Sequence, residues 1–165
     1  MPTSSVGAIN KERGVTLLEL LIVMTLIALV AGLSFPSVSS GLDSLRLRTA
    51  SDSIVSFLNT AIDRAERRQQ VIEVVISPGE NTLTARSPDR EFSRRLDVPE
   101  PIKIIAVQLG LEGGTDTQGQ PRRFLLYPGG AAPRIGIEIA NPQGRKRMVR
   151  VDPITGAPSA EAEAR

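Results

Sequence analysis

The first hydrophobic feature of the chain is an almost uninterrupted apolar run. From Leu17 to Leu33, every residue except Glu19, Thr25 and Gly32 is apolar. As a helix, residues 15–35 would be about 32 Å long at ~1.5 Å per residue, which matches a hydrocarbon core of about 30 Å. The pattern therefore predicts one membrane-spanning helix over residues 15–35.

The charges that flank this run predict its orientation. Lys11 and Arg13 precede it, and the first basic residue after it is Arg46. The positive-inside rule places the N-terminus in the cytoplasm and the rest of the chain outside it. A cleaved secretory signal would need a shorter apolar core and a small-residue cleavage site, for which a weak candidate precedes Leu33. A plain signal anchor explains the length and orientation but leaves Glu19 unexplained.

The helical pattern continues beyond the apolar run. Pro36 lacks an amide hydrogen and disfavours helix at the residue before it, which predicts a kink near residue 36. From Leu42, apolar residues recur every three or four positions, so we expect the helix to extend to about residue 70 and to pack on a sheet. This apolar stripe consists of Leu47, Ala50, Ile54, Phe57, Leu58, Ala61 and Ala65.

From Val71 the pattern changes to short strands separated by turns. It predicts seven strands, within residues 71–77, 82–87, 91–96, 102–109, 122–128, 133–140 and 146–152. No helical pattern lies between them, so antiparallel hairpins are expected rather than strand-helix-strand units. Residues 110–121 are predicted to be a Gly-rich loop and residues 157–165 a flexible tail. The predicted fold class is α+β, with a long N-terminal helix packed on an antiparallel β domain at residues 71–156.

Composition excludes several kinds of chemistry. The chain has no cysteine and no histidine, so Cys/His zinc sites, Ser-His-Asp triads and Cys-His pairs cannot form. The carboxylate pairs Asp89 with Glu91 and Asp97 with Glu100 lie in turn-like sequence and are interpreted as solvated charges. We expect no enzyme activity and no cofactor.

The Gly-rich loop is a weak candidate for a ligand site. It does not open a helix after a strand, which argues against a phosphate cradle. A calcium site could use Glu112 and Asp116, but two carboxylates are few for the six to eight oxygen ligands that calcium takes. We therefore expect no metal site.

Basic residues cluster near the C-terminus at Arg145, Lys146 and Arg147. Such a cluster could bind nucleic acid through phosphate contacts. The formal net charge is only +2 and aromatic residues make up 3% of the chain, which leaves few side chains for base stacking. We expect a solvated or subunit-contacting surface, and nucleic acid is the less favoured partner.

The N-terminal segment resembles a known export signal. A polar leader ends at Gly14 and is followed by VTLLELLIVMTLIALVAGLSFPSV, which is similar to the class III signal of type IV pilins and type II secretion pseudopilins. The resemblance implies that a membrane peptidase removes residues 1–14 by cutting between Gly14 and Val15, and that it methylates the Val15 amine. Phe is usual at the position of Val15. Pro36 falls where pilin helices commonly carry a proline.

This resemblance gives Glu19 a role. A carboxylate within an apolar segment is costly unless it is paired. After cleavage the Val15 amine is positively charged, so Glu19 of one subunit could pair with the Val15 amine of a neighbour and fix the register of assembly. The alternative is a Glu19 side chain that reaches the membrane surface by itself.

Two further segments resemble the GspH/FimT family, which contains protein H minor pseudopilins and FimT minor pilins. They are FLNTAIDRAERRQQVIEVVIS and the closing run from Arg123 to Ser159, which ends in a D-x-x-T-G motif at Asp152–Gly156. The family usually has Pro-Asp-Gly where this chain has Pro128, Gly129 and Gly130. The family fold is a long helix on a β-sandwich.

The resemblance implies a structural subunit of the type II secretion pseudopilus, with FimT-like function in a type IV pilus, in priming or DNA uptake, as the alternative. The implied location is the bacterial inner membrane, with one span and a periplasmic C-terminal domain. The implied partners are the prepilin peptidase and methylase, other major and minor pseudopilins, the membrane, and exported proteins or the secretin.

Overall fold

The computed structural model of the protein describes residues 15–89, 91–109, 114–116, 119–130 and 133–162, without the side chains of residues 33–40, 109, 114–116 and 162. The predicted leader at residues 1–14, including Gly14, lies outside the described residues. Glu112 of the calcium alternative lies outside them as well. The chain divides into two compact units, Met1–Gly41 and Leu42–Arg165.

A single helix, α1, extends from Leu17 to Arg68. The helix is continuous through Pro36, and the kink expected there stays a prediction. The helix ends where Gln69 adopts a positive φ of 51° and the N–H of Gln70 donates to the Ala65 carbonyl at 3.2 Å, as in a Schellman cap. This tight ending turns the chain directly into the first strand.

The membrane-spanning prediction is only partly covered by the described residues. Among these, no helix meets the combined requirement of length and apolarity for crossing a membrane. Residues 33–35 of the predicted span have no described side chains.

The described residues contain nine strands, all paired antiparallel. In chain order they are β1 (Ile72–Ser77), β2 (Thr82–Arg86), β3 (Ser93–Asp97), β4 (Lys103–Leu109), β5 (Gly114–Asp116), β6 (Arg122–Leu126), β7 (Ile135–Ala140), β8 (Lys146–Val151) and β9 (Pro158–Ala162). A four-stranded sheet has the order β3-β2-β1-β6, and a five-stranded sheet has the order β5-β4-β7-β8-β9. Together with the helix, they confirm the predicted α+β class.

Two of these strands were not predicted. Strand β5 lies in the predicted Gly-rich loop and pairs with β4, and β9 lies in the predicted flexible tail and pairs with β8. Their sequences, Gly-Thr-Asp and Pro-Ser-Ala-Glu-Ala, are poor in the β-branched and aromatic residues that favour strands. Pairing with a neighbouring strand, rather than local preference, forms them. The β domain therefore extends beyond the predicted boundary at residue 156.

The predicted apolar stripe of α1 is confirmed as part of the core. All seven of its residues are buried and pack with the buried residues of the strands. On one flank of the helix, Arg94 of β3 donates to Thr60 Oγ1 at 3.0 Å. Near the start of the packed part of the helix, the Arg145 guanidinium donates to the Ser44 hydroxyl. Contacts with both sheets thus hold the second half of α1 in place.

A buried asparagine connects the two sheets. Asn81, in the turn between β1 and β2, donates through Nδ2 to the carbonyls of Val98 and Ile102 at 3.1 and 2.8 Å. Its Oδ1 accepts from the Ile104 N–H at 2.8 Å. Ile104 belongs to β4. The Asn81 side chain therefore joins the β1–β2 turn of the four-stranded sheet to strand β4 of the five-stranded sheet.

Candidate functional site

The start of α1 is a capped helix end. The carbonyl of Thr16 accepts from the Leu20 N–H at 3.2 Å. The side-chain Oγ1 of Thr16 accepts from the Glu19 N–H at 3.2 Å. Thr16 is therefore the N-cap, and Glu19 is the third helical residue. The spacing Thr-x-x-Glu is that of a capping box, and a carboxylate in the first turn is favoured by the helix dipole. Sequence reasoning missed this role of Thr16, although the spacing was readable.

The helix start lies close to the predicted cleavage site. Val15, the predicted new N-terminus, is exposed and is followed by Thr16 as the cap. The helix thus begins two residues after the bond between Gly14 and Val15. Because Glu19 lies one helical turn from Val15, both charges of the predicted pair are at the same end of the helix.

Glu19 has a charge that other chains could satisfy. Glu19 is exposed. All the salt bridges found among the described residues involve residues within the range 43–146, so none of them includes Glu19. The large apolar side chains from Val15 to Val30 are all exposed, by 47% to 86%. A helix that is apolar on every side needs a membrane or neighbouring helices to cover it.

The basic cluster does not form one surface. Lys146 makes a salt bridge with Glu138 at 3.0 Å. Successive side chains of a strand point to opposite faces, so Arg147 lies on the face that carries the buried Val149 and Val151. Arg145 is in the preceding turn, where it contacts Ser44 of α1. Alternation along β8 separates Lys146 from Arg147, and the turn places Arg145 against α1.

The other carboxylates singled out in the sequence serve turns and surface ion pairs. Asp89 accepts hydrogen bonds from the Ser87 hydroxyl and from the Glu91 N–H, and these bonds lower its pKa. Asp97 pairs with Arg95 at 2.8 Å, and Glu100 pairs with Lys103 at 3.0 Å. Within the described part of the chain, no group of three or more Asp, Glu, His or Cys residues could hold a metal ion.

Two turns of the closing segment that resembles the GspH/FimT family lie at the end of α1. Glu66 Oε1 accepts from the Gly129 N–H at 3.0 Å, which attaches the Pro128–Gly130 turn to the helix. The Asp152–Gly156 turn lies beside them, and the two turns and the helix line one groove. Its lining residues are Ile62, Ala65, Glu66, Leu126, Tyr127, Gly130, Pro133, Pro153, Ile154, Thr155 and Gly156.

Asp152 organises the second of these turns. Its Oδ1 accepts from the N–H groups of Ile154 and Thr155 at 2.7 and 2.9 Å. These hydrogen bonds, the one from Thr155 most strongly, lower the pKa of Asp152. The aspartate of the D-x-x-T-G motif therefore shapes a turn, and the turn places Ile154 at the groove with 92% of its surface exposed.

Comparison with known proteins supports the N-terminal part of this description. A family model for the prokaryotic N-terminal methylation motif matches residues 9–35. This motif indicates a type IV pilin-like protein, a class that includes the pseudopilins. It implies processing by a prepilin peptidase, assembly with other pilin subunits, and a membrane-anchored N-terminus with a periplasmic domain. Searches among curated proteins and among solved structures gave no match.

Proposed function

We propose that the protein is a minor pseudopilin of the protein H type, a structural subunit of the periplasmic pseudopilus of a type II secretion system. The observation that carries the proposal is the methylation motif at residues 9–35, followed by one helix whose second half is packed in a two-sheet β domain. The convergence of the Pro128–Gly130 and Asp152–Gly156 turns at the helix end supports the protein H type.

In the proposed mechanism, the peptidase cuts between Gly14 and Val15 and its methylase activity modifies the Val15 amine. The apolar first part of α1 then packs with the helices of neighbouring pseudopilins, and Glu19 pairs with a Val15 amine to set the register. The β domain contacts neighbouring subunits and, at the growing end, exported proteins or the secretin. The chain itself performs no reaction and needs no cofactor.

Processing at Val15 is the first testable consequence. Intact mass spectrometry of the protein from membranes of a host with an active prepilin peptidase should give a chain that begins at Val15, with an added methyl group. Replacing Gly14 with leucine should leave residues 1–14 attached, because a large side chain then lies beside the bond to be cut. A wild-type chain that begins at Met1, or near residue 32, would contradict the pilin-like assignment.

The FimT-like alternative predicts a different defect when the gene is deleted. We expect deletion to block export of folded proteins across the outer membrane while surface pili and DNA uptake continue. The expectation for DNA uptake follows from the basic cluster, in which Arg145 lies in a turn and Lys146 and Arg147 lie on opposite faces of β8. Export assays, pilus shearing and transformation frequency measure the three functions in one strain. Normal export with lost pili or lost transformation would overturn the secretion assignment and favour the alternative.

A further inference from the structure

Strand β3 lies at one end of the four-stranded sheet, and one of its edges is open. It pairs with β2 on one side, and the order β3-β2-β1-β6 places no described strand on the other. Every residue from Ser93 to Asp97 is exposed except Leu96, which is half-buried. An open edge offers backbone N–H and C=O groups to which a further strand can pair.

Hydrogen bonds at both ends of the β2–β3 pair show which backbone groups face this open edge. The Ser87 N–H donates to the Phe92 carbonyl at 3.0 Å. At the other end, the Val98 N–H donates to the Asn81 carbonyl at 3.0 Å. Bonded and unbonded pairs alternate along an antiparallel ladder, so every second residue of β3 directs its N–H and C=O away from β2. These outward residues are Ser93, Arg95 and Asp97.

A groove of about 430 Å³ lies beside β3, between this strand and one face of α1. On the helix it is lined by the short side chains of Thr49, Ser53 and Ser56, which are spaced by three or four residues and share one side. The Ser53 hydroxyl donates to the Thr49 carbonyl within the helix at 2.9 Å. On the strand, Arg94 and Arg95 line the groove. The short helix side chains leave space for a further backbone next to β3.

The groove carries one positive charge that no carboxylate of the described residues pairs with. Arg94 is exposed, and its guanidinium donates to the neutral hydroxyl of Thr60 at 3.0 Å. None of the salt bridges among the described residues includes Arg94. The other charged side chains of the groove are paired, Arg95 with Asp97 at 2.8 Å and Asp52 with Arg48 at 3.9 Å. An acidic side chain of a partner would therefore be stabilised at Arg94.

These charges disfavour a second copy of this chain as the partner. Two copies that paired through their open β3 edges would form an antiparallel pair about a two-fold axis. The register with the longest overlap places Arg95 directly opposite Arg95 of the other copy. Like charges directly opposite each other destabilise a strand pair. A partner strand with acidic side chains has no such repulsion.

We propose that the open edge of β3 binds an extended acidic segment of a different protein, which joins the sheet as an additional strand. The segment is antiparallel to β3, like every described pairing of this sheet. Its residues opposite the outward residues of β3 exchange backbone hydrogen bonds with them. The residue opposite Arg94 directs its side chain to the same face as Arg94, where a carboxylate pairs with the guanidinium. The inference goes beyond the proposed function, because it concerns the folded unit alone.

A synthetic peptide of alternating valine and glutamate, labelled with fluorescein, is the probe. Its fluorescence anisotropy with the full chain in detergent measures binding. N-methylation of a peptide nitrogen removes the hydrogen-bond donor, so two methylated forms test the backbone pairing. Methylation of the valines, which lie opposite the outward residues of β3, should abolish binding. Methylation of the glutamates, whose N–H groups point away from β3, should leave binding nearly unchanged.

Variants of the chain test the charge and the edge separately. Arg94→Glu should weaken binding of the glutamate peptide at least about tenfold, and this variant should bind a matching lysine peptide instead. Ser93→Pro blocks the open edge without removing a bond to β2, since proline is tolerated at the first residue of a strand. It should weaken binding as strongly, whereas Ser93→Ala should not. Arg150→Glu, which reverses an exposed arginine of β8, is the charge control and should bind normally. Urea unfolding verifies that each variant is folded.

Any one of four results would overturn the inference. A folded chain that does not bind the glutamate peptide would show that the arginines of β3 only protect the edge from pairing. Equal effects of the two methylated peptides would exclude the proposed register, and binding unchanged in Arg94→Glu would exclude the charge pair. A dimer of the chain that Ser93→Pro abolishes would make a second copy the occupant. These results leave processing at Val15 and the secretion assignment untouched, so the two proposals fail separately.

Discussion

Replacing Asn81 with alanine is expected to destabilise the β domain by about 3 kcal/mol or more. The substitution removes three side-chain hydrogen bonds, to the carbonyls of Val98 and Ile102 and from the N–H of Ile104. Asn81 is only 8% exposed, so these backbone groups would lose their partners where water has little access, at a cost of about 1–3 kcal/mol for each group left unsatisfied. Total stabilities of 5–15 kcal/mol are typical, so the loss would be a large fraction. Thermal or urea unfolding of the full chain in detergent, followed by circular dichroism, measures it.

Two further variants separate the causes of this loss. Asn81 has a positive φ of 58°, which glycine adopts freely and alanine does not. Asn81→Gly should therefore recover roughly 1 kcal/mol relative to alanine and keep most of the defect. Asn59→Ala, which removes an exposed asparagine of α1, is the control and should change stability by less than about 0.5 kcal/mol. Equal stability of the Asn81→Ala variant and the natural chain would show that the two sheets do not depend on this connection.

Asn81→Asp adds a test that depends on pH. The aspartate carboxylate still accepts from the Ile104 N–H, but its negative charge lies beside the carbonyl oxygens of Val98 and Ile102. Burial and the repulsion from these two oxygens should raise the folded-state pKa of the aspartate. A raised pKa means that the folded state binds the proton more tightly than the unfolded state. The variant should therefore gain stability as the pH falls towards the unfolded pKa of about 4.

The fold was largely readable from the sequence where one local pattern dominates. The apolar stripe of α1 predicted seven core residues, and the structure buries all of them. Strands such as β1 and β7 are rich in Val and Ile and needed no tertiary information. Strands β5 and β9 were missed, because their small and polar residues have no strand preference of their own. The hydrogen bonds that fix them come from the preceding strands, β4 for β5 and β8 for β9, and residue preference alone does not reveal such a pairing.

The candidate sites also differ in whether a local pattern in the sequence marks them. Glu19 was found because one charge in an apolar run is a local signal. The groove at the helix end joins Glu66, Tyr127 and Ile154, which are separated by up to 88 positions in the sequence. No periodicity connects them, so the groove could not be predicted. In the basic cluster, charges that are adjacent in the sequence are apart in the fold, since Arg145 lies in a turn while Lys146 and Arg147 lie on opposite faces of β8.

Replacing Glu19 with glutamine is expected to leave processing intact and to abolish assembly. Glutamine serves in a Thr-x-x-Gln capping box as well as glutamate does, so the bond from the residue 19 N–H to Thr16 Oγ1 and the start of α1 should persist. What disappears is the negative charge available to a neighbour's Val15 amine. An unpaired ammonium in an apolar setting costs several kcal/mol, and even 2.8 kcal/mol would lower an association constant about a hundredfold. Export of folded proteins and recovery of cross-linked assemblies should therefore fall to background, while mass spectrometry still finds Val15 at the N-terminus.

The matched variant Thr16→Val separates the cap from the charge. Valine has nearly the same shape as threonine but lacks the side-chain oxygen that caps the helix, so the variant should lose about 1 kcal/mol of helix stability. The variant keeps Glu19 and its charge. We expect it to assemble with at most a modest loss, because the charge pair remains. If Glu19→Gln assembles normally and Thr16→Val fails, the carboxylate matters only for starting the helix, and the ion pair between subunits is wrong. If both variants assemble, neither half of the capping box sets the register. Only the failure of Glu19→Gln alone supports a charge that one subunit provides for the next.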